Sequence, residues 1–220
     1  VLQPRVLLLD EPLSNLDPEL RGEMRELLLR LHARHGTTTL LVTHDQEEAL
    51  TLAQRIAVLL ESRIQQVGPG EDFYERPATP AVARFFGAAN IFQAGLEGRT
   101  LHTPFGTLLR PMPSPEMVEQ ELSMRSQVQA TIRPEHIHLT LGCGSSPAGA
   151  EKGRLPGLAQ GELKGTVRAS RFRGTHNEVD VAVGEGVLRV VTLPGTLPQP
   201  GDAVTLTVPP ERIHLFTVGV

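Results

Sequence analysis

The stretch Val6-Leu7-Leu8-Leu9-Asp10-Glu11-Pro12 places four apolar residues directly before two adjacent carboxylates. A short run that is apolar at every position predicts a buried strand of a parallel sheet, because such strands are covered on both faces. Ligands of open α/β sheets bind just beyond the carboxyl ends of the strands. The run therefore predicts that Asp10 and Glu11 lie at the rim of a sheet, beside a ligand-binding crevice.

The residues around this stretch indicate an α/β fold. From Arg5 to Val67 strand-like and helix-like patterns alternate, which is typical of a largely parallel sheet. Asp17 suits a helix N-cap and Pro18 suits the first helical position. Apolar residues then recur at helical spacing until Gly36, where we expect the helix to end.

A second strand is predicted from Thr38 to Thr43, where β-branched residues and leucines dominate. The strand ends at His44, so His44 occupies the same kind of strand terminus as Asp10 and Glu11. The carboxyl ends of neighbouring parallel strands meet at one edge of a sheet. We therefore expect the two acids and the imidazole to converge on one site.

The later part of the chain has a different pattern. Residues 71–86 suggest two short helices interrupted by prolines, and after Gly87 short β-like runs alternate with Gly and Pro, which favours a small barrel or sandwich. Residues 142–161 are rich in Gly, Ser, Pro and Ala and predict a flexible insertion. The predicted organisation is an α/β domain over residues 1–89 and an all-β domain over residues 90–220.

A short repeat occurs within the all-β part. The sequences Pro134-Glu135-His136-Ile137-His138-Leu139 and Pro210-Glu211-Arg212-Ile213-His214-Leu215 share the core Pro-Glu-X-Ile-His-Leu. Repeated sequence of this kind indicates duplicated structural units. We therefore expect two related β modules.

Composition excludes several classes of function. The formal net charge of −4 provides no basic field for nucleic acid. No stretch approaches the roughly 20 apolar residues that a membrane-spanning helix needs. Cys143 is the only cysteine, so the chain cannot form an internal disulfide, and a cytosolic location is compatible.

Together the motifs resemble those of the ATP-binding subunits of ABC transporters, specifically bacterial importers with a C-terminal regulatory domain of two OB-like (TOBE) modules. The matching motifs are the Walker B strand Val6–Glu11, the D-loop Ser14-Asn15-Leu16-Asp17, the switch segment Thr43–Leu50, and Tyr74–Asn90. Their order and spacing carry the resemblance, since single motifs occur by chance. It implies that residues 1–89 are the C-terminal half of a P-loop NTPase-type ABC ATPase domain, and that residues 90–220 are an OB-like TOBE domain.

The resemblance also implies a role for each matching residue. Asp10 would hold Mg²⁺ through water, because a hard cation that keeps its waters prefers carboxylate oxygens. Glu11 would orient and deprotonate the attacking water, and His44 would hydrogen-bond the γ-phosphate of ATP. Asp17 would act across a dimer interface and link the two nucleotide sites. The implied cofactors are ATP and Mg²⁺.

The implied partners are a second copy of the ATPase subunit in a homodimer, transmembrane permease subunits and, indirectly, a periplasmic or lipoprotein solute-binding protein, without nucleic acid. The implied location is cytoplasmic, peripheral on the inner face of the cell membrane. The transported solute is not readable, because importers of this group select cargo through other subunits.

Two motifs of the family do not occur in the 220 residues. The only lysines, Lys152 and Lys164, lack the spacing of a Gly-X-X-X-X-Gly-Lys-Ser/Thr phosphate loop, and there is no Leu-Ser-Gly-Gly-Gln signature. We interpret the chain as the C-terminal portion of an importer ATPase. The prediction is that these residues alone do not hydrolyse ATP.

Two alternatives stay open at this point. In the first, the chain is a non-enzymatic OB-like module that binds a regulator or a small anion, and Arg168, Arg171 and Arg173 beside Gly174 would supply the positive charge. Surface charge without a ligand is the other interpretation of this basic cluster. In the second alternative, the chain is an inert product of a truncated gene, with an exposed apolar sheet edge.

Overall fold

The computed structural model describes residues 4–110, 126–142, 161–195 and 197–216. The predicted flexible insertion and Cys143 therefore lie outside the described residues, apart from the insertion's two ends. The chain forms two compact units, Val1–Ala78 and Thr79–Val220. The domain boundary at residue 89, which the family resemblance implied, stays a prediction. No helix in the described part of the chain is both long enough and apolar enough to cross a membrane.

The first unit alternates strands and helices, as predicted. Its elements are β1 (Val6–Asp10), α1 (Pro18–His35), β2 (Thr38–Val42), α2 (Gln46–Leu52), β3 (Ile56–Leu60), β4 (Arg63–Gly68) and α3 (Gly70–Glu75). Strands β1 and β2 pair in parallel, with Asp10 opposite Val42. Strands β3 and β4 form an antiparallel hairpin.

Helix α1 begins and ends where the sequence predicts. The Asp17 carboxylate accepts the backbone N–H groups of Glu19 and Leu20 at 3.1 and 3.0 Å. Such a cap satisfies donors that have no partner within the helix. At the other end Gly36 adopts a left-handed conformation with φ of 59°, and its N–H donates to the carbonyl of His32.

The prediction that β1 is buried on both faces is wrong for the described structure. Leu8 is 70% exposed and Leu40, on the neighbouring strand, is 60% exposed. Within the described residues, β1 and β2 form a sheet of two strands only. A sheet this narrow has few neighbours that can cover it, so its apolar pattern is not matched by burial.

The second unit is mostly β structure, as predicted. Its elements are α4 (Pro80–Phe85), β5 (Asn90–Glu97), β6 (Thr100–Thr103), β7 (Gly106–Leu109), β8 (Ser126–Ile132), β9 (His138–Leu141), β10 (Glu162–Phe172), β11 (Asn177–Val183), β12 (Gly186–Thr192), β13 (Ala203–Thr207) and β14 (Ile213–Phe216). Among the described residues these strands form two five-stranded sheets, with the orders β7-β6-β5-β8-β14 and β12-β11-β10-β13-β9.

The two sheets have matching orders because the sequence repeat is also a structural repeat. Each copy of the Pro-Glu-X-Ile-His-Leu motif forms a 3₁₀ turn, Pro134–His136 or Pro210–Arg212, followed by a short strand. That strand pairs in the other module's sheet: β9 pairs with β13, and β14 pairs with β8. The two modules therefore exchange their last strands. The proline-led turn comes first, so β9 begins at His138.

The exchange buries one core shared by both modules. Fully buried side chains come from both sheets and include Leu101, Ile132, Val179, Leu188 and Leu206. Asn90 adds a polar link, since its side-chain amide donates to the carbonyl of Arg189 at 2.8 Å and accepts that residue's N–H at 2.7 Å. The amide thereby occupies backbone groups on the edge strand β12 that would otherwise need another partner.

Candidate functional site

The turn after β1 holds Glu11 in an unusual backbone conformation. Glu11 has φ of 46°, in the left-handed region. Its N–H donates to the carbonyl of Val42 at 2.9 Å, and its carbonyl accepts the Ser14 hydroxyl at 2.9 Å. A non-glycine residue in this region costs on the order of 1–2 kcal/mol, and such strain concentrates at functional sites. The hydrogen bonds on both sides keep Glu11 in place despite that cost.

The structure brings Glu11 and His44 together, as the strand ends predict. Nδ1 of His44 lies 2.7 Å from Oε1 of Glu11, within hydrogen-bond distance. The His44 side chain is 78% exposed and the Glu11 side chain 36%, so both are accessible to a ligand. Asp10 ends β1 immediately before Glu11 and is also exposed. The acids and the imidazole thus lie at one edge of the β1–β2 sheet.

The hydrogen bond to Glu11 raises the pKa of His44 above its ordinary 6.5. The negative charge of Glu11 acts in the same direction, and the charges of Asp45 and Glu48 add to it. Because the pKa of His44 is higher in the folded state, its interaction with Glu11 stabilises the fold fully at pH values below the unfolded-state pKa. This stabilisation is lost as the pH rises through the folded-state pKa. The contact between His44 and Glu11 is therefore expected to weaken as the pH rises through the raised pKa of His44.

Replacing Glu11 with Gln tests this contact directly. The substitution removes the charge and the carboxylate acceptor, so we expect the pKa of His44 to fall towards 6.5. Proton–nitrogen NMR of the imidazole ring across pH 5–9 measures the shift, in the range where histidine titrates. An unchanged His44 pKa would show that the two side chains are apart in solution.

Asp17 lies in the loop after Glu11 and caps α1, so its carboxylate is engaged within its own chain. This contact fixes the loop Ser14–Asp17 against the helix, and the Arg21 guanidinium adds a bond to the carbonyl of Leu16 at 3.0 Å. The same guanidinium lies 3.7 Å from the Asp45 carboxylate, just beyond His44. No pattern in the sequence distinguishes Arg21, because it is a lone arginine in the first turn of a helix.

The described residues contain no cluster of three or more His, Cys, Asp or Glu side chains that could enclose a metal ion. Mg²⁺ does not need such a cluster in nucleotide sites, where one or two carboxylates, waters and phosphate oxygens bind it. The exposed carboxylate of Asp10 at the strand end fits that simpler donor set.

The basic cluster of the second unit is largely neutralised by acids. Arg171 and Arg189 both contact the Asp180 carboxylate, at 2.7 and 2.8 Å, and Arg173 lies 3.0 Å from Glu178. Burial raises the pKa of Asp180, but the hydrogen bonds and the positive charges of Arg189 and Arg171 together outweigh burial and lower the pKa overall. These pairs agree with the interpretation as surface charge and give no support to an anion site.

An α/β unit with acids and a histidine at adjoining strand ends, followed by a β unit with a structural repeat, is the arrangement that the resemblance to ABC-type ATP-binding subunits implied. The family model of the TOBE domain matches residues 130–216. The fold class is thus the predicted one, mixed α/β followed by a TOBE domain.

Known proteins similar to the chain agree with this class. The sn-glycerol-3-phosphate import ATP-binding protein UgpC of Chromobacterium violaceum is 38% identical over 98% of this chain and 54% of its own length. The spermidine/putrescine import ATP-binding protein PotA 1 of Pseudomonas aeruginosa is 41% identical over 94% of this chain and 52% of its own length.

A solved structure of the cytoplasmic molybdate-binding protein ModG covers 59% of this chain and 96% of its own, at 17% identity and a TM-score of 0.43. That likeness is too weak to support a conclusion. Along nearly its whole length the chain is similar in sequence to ATP-binding subunits of ABC importers. The chain spans about half the length of the curated relatives it matches.

Proposed function

We propose that this chain provides the hydrolytic residues of an ATP site in the ATP-binding subunit of an ABC importer. The observation that supports the proposal most directly is the 2.7 Å contact between Glu11 and His44 at adjoining strand ends. In this proposal Glu11 orients the attacking water and accepts its proton. Asp10 would hold Mg²⁺, with its carboxylate and water as ligands, and the ion would supply positive charge that offsets the phosphates.

The orientation of the His44 ring fits its proposed role. Because Nδ1 is directed at the Glu11 carboxylate, Nε2 lies on the far side of the ring and can donate to a terminal phosphate oxygen. Glu11 favours the protonated imidazole, in which both nitrogens are donors. One ring can therefore hold the base and the phosphate in a fixed relation, which is catalysis by positioning and charge stabilisation.

The remaining partners belong to the same proposal. Asp17, with its loop held against α1, would act across the interface of a homodimer of ATPase subunits. Transmembrane permease subunits would hold the dimer at the inner, cytoplasmic face of the cell membrane, and a solute-binding protein would deliver the cargo to them. The relatives support this assembly through their shared designation as import ATP-binding proteins.

The absence of two motifs from the 220 residues gives a direct test. ATP hydrolysis needs a phosphate loop and a signature in addition to Glu11 and His44, and neither occurs in this sequence. We expect the 220-residue polypeptide alone to show no ATP turnover above background. The longest reading frame that includes these residues, if it encodes both motifs, should hydrolyse Mg-ATP.

Phosphate release measured with and without Mg²⁺ distinguishes the outcomes. Turnover by the isolated 220 residues that disappears in Glu11→Gln would contradict the expectation of inactivity. Absence of turnover in a folded, dimeric protein that carries both motifs would contradict the proposed function itself.

A further inference from the structure

Glu48 is a buried carboxylate close to His44 for which the proposed chemistry has no role. It is only 2% exposed, although ionisable side chains are rarely buried unless other groups bind them. Its Oε2 accepts a hydrogen bond from the Thr43 hydroxyl at 2.7 Å. The same hydroxyl accepts the backbone N–H of Asp45 at 3.0 Å. Two hydrogen bonds therefore connect Asp45 to Glu48 through Thr43.

This connection is a modified helix cap. Asp45 is the N-cap of α2, and its carboxylate accepts the N–H groups of Glu47 and Glu48 at 2.8 and 3.2 Å. In the usual capping box, the carboxylate at the third helical position accepts the N-cap N–H directly. Here the Thr43 hydroxyl lies between the Asp45 N–H and the Glu48 carboxylate. The chain of hydrogen bonds therefore joins residues on both sides of His44. We call this path from Asp45 through Thr43 to Glu48 the threonine relay.

The relay matters because, apart from its hydrogen bond to Glu11, the His44 ring has little to hold it in place. The side chain is 78% exposed, so packing contributes little to its position. The relay instead fixes the backbone on both sides of His44, and the Glu48 end of it is anchored by burial. A short hydrogen bond to a carboxylate is stronger than one between two neutral groups, which suits a contact that must resist movement.

We propose that Thr43 and Glu48 are positioning residues that keep His44 within hydrogen-bond reach of Glu11. This inference rests on the proposed function, because that function gives His44 its part in hydrolysis. Neither residue touches the reacting atoms. Their effect passes through the backbone of His44, and a small displacement of a positioned group slows chemistry considerably.

The kinetic test uses the protein made from the full reading frame. Thr43→Val keeps the shape and removes the hydroxyl, so we expect kcat to fall about 10- to 100-fold. The KM for ATP should stay within about twofold, because the phosphate loop is untouched. Thr43→Ser keeps the hydroxyl donor and Glu48→Gln keeps an acceptor oxygen. Each of these single variants should therefore retain most of the unsubstituted rate. Thr38→Val, on the exposed start of β2, is the matched control.

A second measurement separates this inference from the proposed function. Amide exchange of Asp45 and the ring resonances of His44 report on the relay without any turnover. Thr43→Val should speed exchange at Asp45 and return the His44 titration towards that of a free imidazole. If Thr43→Val speeds exchange at Asp45 but leaves kcat and the His44 titration unchanged, the relay acts only as a helix cap. That result would overturn the inference. If the unsubstituted protein hydrolyses no ATP, the proposed function fails, and the His44 titration alone then decides for or against the relay.

Discussion

Replacing Glu11 with Gln should lower the kcat for ATP hydrolysis by about 10²- to 10⁴-fold, the usual contribution of a positioned general base. The amide has the same shape as the carboxylate and tolerates the same backbone conformation, but it cannot accept the proton of the attacking water. Binding of Mg-ATP should change little, because Glu11 does not hold the phosphates in the proposed site. Steady-state phosphate release and equilibrium binding of a labelled nucleotide, both in the full-length protein, measure the two effects.

Glu23→Gln is the matched control for this experiment. Glu23 is exposed on α1 and undergoes the same chemical change, so any general effect of losing one negative charge appears there too. A loss of turnover in both variants would point to a global charge effect. A Glu11→Gln variant that turns over at the normal rate would show that another group is the base, whatever the distance between Glu11 and His44.

Replacing Gly184 with Ala should destabilise the second unit strongly. Gly184 has φ of 55°, and a Cβ placed there would lie 2.6 Å from the carbonyl oxygen of Pro104. That oxygen cannot easily move away, because it accepts the N–H of Glu185 at 2.9 Å. The left-handed backbone costs on the order of 1–2 kcal/mol with a side chain, and overpacking adds about 1–3 kcal/mol. We therefore expect the free energy of unfolding to fall by roughly 2–5 kcal/mol.

Gly98→Ala separates the two contributions. Gly98 has φ of 57°, nearly the same backbone conformation, but nothing lies within 4 Å of a Cβ placed there. Urea unfolding of both variants should give a loss of about 1–2 kcal/mol for Gly98→Ala and a clearly larger loss for Gly184→Ala. Equal losses in the two variants would mean that the Pro104 carbonyl shifts freely and that the turn is less tightly packed than described.

Local signals predicted much of the first unit. The cap at Asp17, the proline after it and Gly36 set the bounds of α1, because the chemistry of helix ends acts within a few residues. The meeting of Glu11 with His44 followed from a general property of parallel strands. The exposure of Leu8 did not follow, since burial depends on what covers a strand and the strand's own sequence does not contain that information.

Long-range features were beyond sequence analysis. The repeat of Pro-Glu-X-Ile-His-Leu predicted duplication, but the exchange of β9 and β14 between sheets depends on pairings far apart in the chain. The spacing of Asp45 and Glu48 is a capping-box signal that could have been recognised. The position of the Thr43 hydroxyl between these two residues could not have been recognised from the sequence.

The crossing of the last strands has a practical consequence for dividing this protein. The match to the TOBE family begins at residue 130, within β8, yet β8 pairs with β5 on one side and with β14 on the other. A fragment cut at that point would lack β5, and a cut after Gly142 would deprive both sheets of a strand at once. The smallest fragment that can unfold as one cooperative unit therefore starts no later than Asn90. The two repeats form a single foldon and not two independently folding domains.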